Sequence, residues 1–311
     1  MNRLVLLLLA FSLFGINCNG QKVDNPKMEK VFLNEKDTTK NCYTILYPPK
    51  LPYNGYLFLM PGFGETAEAV LEQTDLPKQL ALNGILTIIP TFQDGVLSFG
   101  VDRLSQQTFD RILNDVIAKH QLKGKKFYVG GFSIGGSCAI KYAENAVIKP
   151  TAVFAIDPPL DFERFYNSAK RDIRLSKDGE ANPENVYMIE RLEKETGGNP
   201  STHLAEYYKI SPYSFSDTTQ TEIKKLSNIP LRIYTEPDIN WWLQERGADF
   251  TSINASTCSA MINELNRLGN QNAVLLTTQN KGYRKPHNRR HPHSWSIVDN
   301  DELIQWLLQQ N

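Results

Sequence analysis

The stretch Lys126-Phe127-Tyr128-Val129-Gly130-Gly131-Phe132-Ser133-Ile134-Gly135-Gly136 decides how the rest of the chain is read. It starts as an apolar run of strand length. It ends by opening a helix, since Cys138, Ala139, Tyr142 and Ala143 recur at helical spacing just beyond it. Between the two sits G-x-S-x-G, from Gly131 to Gly135. A serine on so sharp a strand-to-helix turn needs small neighbours, because strand and helix must approach closely, and Gly131 and Gly135 meet that demand. The hydroxyl then faces the N-terminus of the following helix, where backbone N–H groups favour a developing negative charge. A phosphate-binding turn is the competing reading. No Lys or Thr follows the glycines as a P-loop needs, and no G-x-G-x-x-G is present.

Working outward, short apolar runs recur at Tyr43–Tyr47, Tyr56–Met60, Ile85–Ile89, Ala152–Ile156, Leu231–Thr235 and Ala273–Thr277. Runs without alternation are how strands buried on both faces read. Amphipathic helical patterns lie between them, the clearest being Phe109, Ile112, Leu113, Val116 and Ile117 at i, i+3, i+4, i+7, i+8. Strand-helix alternation predicts an α/β fold: a mostly parallel sheet covered on both sides. Residues 161–226 break the alternation, being charged and helix-like with no convincing strand, and read as an insertion capping one end of the sheet. Residues 21–40 are polar and read as a leader or an edge element.

At this point the chain resembles the α/β-hydrolase fold enzymes, from about Tyr43 to Leu308 apart from the 161–226 insertion. The resemblance implies a nucleophile, an acid and a histidine in that chain order, preceded by an oxyanion loop. Ser133 is then the nucleophile. Leu59-Met60-Pro61-Gly62-Phe63-Gly64-Glu65-Thr66 matches the position of the family's oxyanion loop, with Pro61 where a histidine is common. It carries the two oxyanion amides over to Phe63 and Ile134. The acid maps onto Asp238, in Thr235-Glu236-Pro237-Asp238 after a strand run. Glu236 and Asp157, the latter at the end of Ala152–Ile156, are the alternatives. The histidine maps onto His293, because His293-Ser294-Trp295 looks like the His-x-Trp approach to the terminal helix; His291 and His287 are the alternatives. A carboxylate beside the imidazole fixes its tautomer and balances the imidazolium that forms during the reaction.

Two features near these residues bear on substrate. Lys281, Arg284, Lys285, Arg289 and Arg290 surround the histidines, either as a solvated loop or as a rim attracting an anionic group. Trp241-Trp242 follows Asp238 closely, either as core or as a platform for a sugar or aromatic group. Histidines at 287, 291 and 293 fall around two prolines and do not share a helical face, so no metal site is expected, and the reaction needs no cofactor.

Composition agrees with a globular enzyme: of 311 residues, 41% are hydrophobic and 22% charged. Lys plus Arg and Asp plus Glu number 34 each, which argues against a nucleic-acid partner. Met1-Asn2-Arg3 followed by the apolar Leu4–Phe14 reads as a signal peptide within residues 1–20, too short to span a bilayer. Cys18 sits where a lipoprotein anchor would, and cleavage after Gly20 is the rival; on either reading the mature protein is exported, with a membrane contact only through such an anchor. Cys42, Cys138 and Cys258 are too widely spaced for a disulfide framework. The expectation is an exported serine hydrolase of 41–311 acting on a small or polysaccharide-linked ester. A peptidase on small peptides and a non-catalytic binding module on the same scaffold are the rivals.

Overall fold

The computed structural model describes residues 26–34, 36–176 and 182–311. The signal peptide and Cys18 lie outside the described residues.

Eight strands form one sheet in the order β1-β2-β4-β3-β5-β6-β7-β8. They are β1 (Lys27–Phe32), β2 (Cys42–Tyr47), β3 (Gly55–Met60), β4 (Ile85–Thr91), β5 (Lys126–Phe132), β6 (Ala152–Ile156), β7 (Leu231–Thr235) and β8 (Ala273–Thr277). Pairing is parallel from β4 through β8, while β1 and β2 run antiparallel at one edge. All seven apolar runs are strands. The polar segment before them supplies β1, an edge strand whose residues are mostly exposed, as a strand with one neighbour and little core contact should be.

The period-two alternation of side chains sorts the inner strands between two cores. In β3, Tyr56, Phe58 and Met60 join the core built with α3 (Arg103–His120), α4 (Ile134–Asn145) and α9 (Ala255–Arg267). Leu57 and Leu59 point the other way, toward α1 (Ala67–Gln73), α2 (Leu76–Leu82) and α10 (Asn300–Gln309). The sheet is thus covered on both faces. Phe109, Ile112, Leu113 and Val116 of α3 are all buried, as the amphipathic pattern requires.

Between β6 and β7 lie α5 (Phe162–Leu175), α6 (Pro183–Thr196), α7 (Pro200–Ile210) and a 3-10 turn at Ile223–Leu226, with no strand among the described residues. Phe162, Tyr166, Met188, Leu192 and Tyr207 from these helices form a third core with Phe99, Val101 and Ile134. α8 (Ile239–Arg246) and the short hairpin β9 (Tyr283–Arg284) and β10 (Arg289–Arg290) complete the chain. Cys42, Cys138 and Cys258 are buried free thiols.

Candidate active site

Ser133 stands between the end of β5 and the start of α4 with φ +53° and ψ −127°. A positive φ costs an L-residue free energy and persists only where the surroundings impose it. Here they do. A Cβ on Gly131 would sit 2.5 Å from the Gly135 carbonyl carbon, and one on Gly135 would run into the carbonyl oxygens of Met60 and Pro61. Strand, helix and the loop after β3 therefore meet at a point that tolerates no side chain at either glycine. The turn that G-x-S-x-G demands is present, and Ser133 is part-exposed on it.

His293 faces the serine. Its Nε2 lies 2.9 Å from Ser133 Oγ, placed to accept the hydroxyl proton. Its Nδ1 lies 2.6 Å from a carboxylate oxygen, and that oxygen belongs to Asp157, not Asp238. The sheet gives the physical reason. β6 is the immediate neighbour of β5, and Phe132 pairs with Ile156, so the next residues, Ser133 and Asp157, stand level at adjacent strand ends. Adjacent strands lie about 4.8 Å apart. β7 is one strand further out. Asp157 turns into the site with φ +45°. Its N–H donates to Tyr234 O at 2.7 Å and its carbonyl accepts from Asn254 Nδ2 at 2.8 Å.

Asp238 is used otherwise. One oxygen accepts the Trp241 N–H at 3.1 Å, capping α8, and the other pairs with Arg290 Nη2 at 2.8 Å. Glu236, buried, pairs with the same Arg290 nitrogen at 2.6 Å and accepts the backbone N–H groups of Lys281 and Gly282. Both carboxylates after β7 thus hold the segment that leads to His293. One signal in the sequence separates the two acids. Asp238 stands three residues before Trp241 at the head of a helix, the ordinary place for a capping aspartate. Asp157 is followed by Pro158-Pro159 and caps no helix.

The oxyanion loop follows β3. Neither the Phe63 nor the Ile134 backbone N–H has an acceptor among the described residues. The Phe63 ring packs on Tyr187 of α6, with centroids 5.3 Å apart, so the helices between β6 and β7 reach the loop itself. Glu65 has a part that sequence reading missed. Its carboxylate accepts the Gly62 N–H at 2.8 Å and the Trp295 indole N–H at 3.1 Å, tying the oxyanion loop to the histidine segment. Burial pushes its pKa up, opposed by those two hydrogen bonds and by the nearby His293. A narrow pocket of about 30 Å³, lined in part by Gly62, Phe99, Ile134 and Cys138, lies beside this loop.

The alternative histidines sit elsewhere. His287 is exposed in the turn between β9 and β10. His291 is buried, with its ring 4.8 Å from Trp241 and 6.3 Å from His293. Burial, together with the charges of Arg284, His293, Arg246 and Arg289, drives its pKa down to about 2, so it stays neutral. Trp241 and Trp242 pack edge to face at 5.2 Å on α8, a helix with no buried residue; they are half-buried and do not belong to the core.

No protein-family model matches the chain, and no curated protein matches it in sequence. Solved structures do match. An S-formylglutathione hydrolase from Agrobacterium tumefaciens superposes with a TM-score of 0.55 at 13% identity, over 91% of this chain and 94% of its own. The fluorophosphonate-binding serine hydrolase F of Staphylococcus aureus gives 0.54 at 14% identity, over 92% and 100%. The acylaminoacyl peptidase of Pyrococcus horikoshii gives 0.60 at 11% identity over 93% of this chain, which spans only 42% of that longer protein. At such identities the likeness is one of architecture, and the architecture of this chain is the α/β-hydrolase fold.

Proposed function

We propose that the protein is a serine hydrolase that cleaves carboxylic esters through a Ser133-His293-Asp157 triad. One observation carries the reading: the continuous hydrogen-bond chain from Ser133 Oγ through both ring nitrogens of His293 to the Asp157 carboxylate. Ser133 Oγ attacks the acyl carbonyl while His293 Nε2 takes its proton. The Phe63 and Ile134 amides receive the tetrahedral oxyanion, each such donor being worth about 3–4 kcal/mol in comparable sites. The imidazolium, stabilised by Asp157, then protonates the departing alcohol. The now neutral His293 takes one proton from water as it attacks the acyl-enzyme, and the imidazolium passes that proton to Ser133 Oγ as the acid is released with the water's other proton. Met1–Phe14 supports export before the enzyme acts, so its ester is an external one.

A fluorophosphonate probe tests the assignment. Labelling of the wild type that vanishes in Ser133→Ala is the expected result; an unlabelled wild type at neutral to mildly alkaline pH overturns it in favour of a binding module. Parallel assays on nitrophenyl acyl esters and aminoacyl anilides separate esterase from peptidase, with turnover of the esters expected.

A further inference from the structure

Three guanidinium groups gather on the histidine side of the site. Arg284 donates from Nε and Nη2 to the carbonyl oxygen of His293, at 3.1 and 2.9 Å. Arg246, at the end of α8, places Nη2 3.2 Å from His291 Nε2 and lies over the Trp241 ring at 5.9 Å. Arg289 opens β10. None of the three forms an ion pair among the described residues. Four of the carboxylates near them are engaged with other groups. Glu236 and Asp238 hold Arg290, Asp249 holds Arg171 at 2.9 Å, and Glu65 accepts from Gly62 and Trp295. Arg284 feels only the more distant charges of Glu65 and Glu184, while Arg246 repels it.

The donors around His291 are also in excess. A neutral imidazole offers one acceptor nitrogen. Here the His293 N–H points at Nδ1 from 3.2 Å and Arg246 points at Nε2 from 3.2 Å. One of these two donors has no lone pair to meet. The Arg246 head is exposed, so it is the one free to turn toward an incoming acceptor.

We infer that this cluster recognises a carboxylate on the alcohol portion of the ester, held by Arg246 and Arg284 while the ring that carries it lies against Trp241. The inference rests on the triad reading, which also fixes the side. His293 protonates the departing alcohol, so that alcohol lies on the histidine side of Ser133, where the guanidiniums are. The acyl carbonyl faces the oxyanion amides of Phe63 and Ile134. A planar guanidinium fork suits a carboxylate, and its neighbour's uncompensated charge raises the local attraction.

The test uses three acetate esters with the full chain: phenyl acetate, 4-carboxyphenyl acetate and 4-(trimethylammonio)phenyl acetate, each normalised to its hydroxide-catalysed rate. The wild type is expected to prefer the carboxylate over the neutral ester by about 10-fold or more in kcat/KM at low salt, and to disfavour the cation. That preference should shrink as ionic strength rises. It should fall toward unity in Arg246→Gln and in Arg284→Gln and invert in Arg246→Glu. Each preference is a ratio within one protein sample, so a loss of folded fraction or of overall turnover cancels. If Arg284→Gln leaves no rate to measure, the Arg246 variants and the salt series decide. Turnover of all three esters without a preference, or a preference that survives in both Arg246 variants, overturns this inference alone. A wild type inert toward all three overturns the hydrolase reading and this inference with it.

Discussion

Two neighbouring strands, β6 and β7, both end in acidic residues, and the two ends do different work. Asp157, after β6, meets the imidazole of His293; Glu236 and Asp238, after β7, meet the guanidinium of Arg290. The difference is lateral position. In this chain the carboxylate one strand spacing from the serine meets the imidazole bonded to that serine, and the two carboxylates two spacings out are taken up by Arg290. The outer pair is not idle, because it anchors the loop that delivers the histidine. Carboxylate chemistry is common to both ends; what separates them is what each can touch.

The sharpest way to break the comparison is to exchange charge for a neutral isostere at each position. Asp157→Asn should lower kcat by about 10⁴-fold with its melting temperature little changed, since the amide would hold the wrong imidazole tautomer. Steady-state turnover of a nitrophenyl ester checks this; a loss under tenfold would mean that another acid serves. Glu236→Gln is expected to act on stability first. It leaves Arg290 half-buried with only Asp238, at a cost of about 3 kcal/mol in unfolding free energy by urea titration, and a kcat pH profile of unchanged shape. Asn254→Ala removes the donor to the Asp157 carbonyl, worth about 1 kcal/mol. Activity should drop a few-fold, and urea titration should show a similarly small loss. Asp238→Asn should be the mildest, since asparagine also caps helices, and about twofold in kcat is the expected ceiling. A larger loss there than in Asn254→Ala would reverse the ranking of the two strand ends.

The fold was largely legible in the chain because burial on both faces writes itself as unbroken apolar runs, and all seven of those runs are strands. β1 was less so: an exposed edge strand carries little apolar signal, and Lys27-Met28-Glu29-Lys30 has the composition of a loop. The serine turn could be read from two glycines whose steric role is local. The histidine could be read from its place before a terminal helix. The carboxylate partner could not be chosen with the same security, because which loop a side chain reaches depends on sheet order, and sheet order is not local. Glu65 was missed for a related reason. Its two donors, Gly62 and Trp295, lie more than 200 residues apart in the chain. The tryptophans read equally well as core or platform, and only the absence of buried residues in α8 separates the two.

Ser133 and Asp157 share one more property: both are non-glycine residues held at positive φ, on adjacent strand ends. Each gives up about 1 kcal/mol that a glycine would not. Directed evolution of this scaffold for heat tolerance alone would therefore find cheap gains at the two positions where a side chain matters most. Any such campaign needs a turnover screen alongside the thermal one, or it will converge on a sturdier, silent protein.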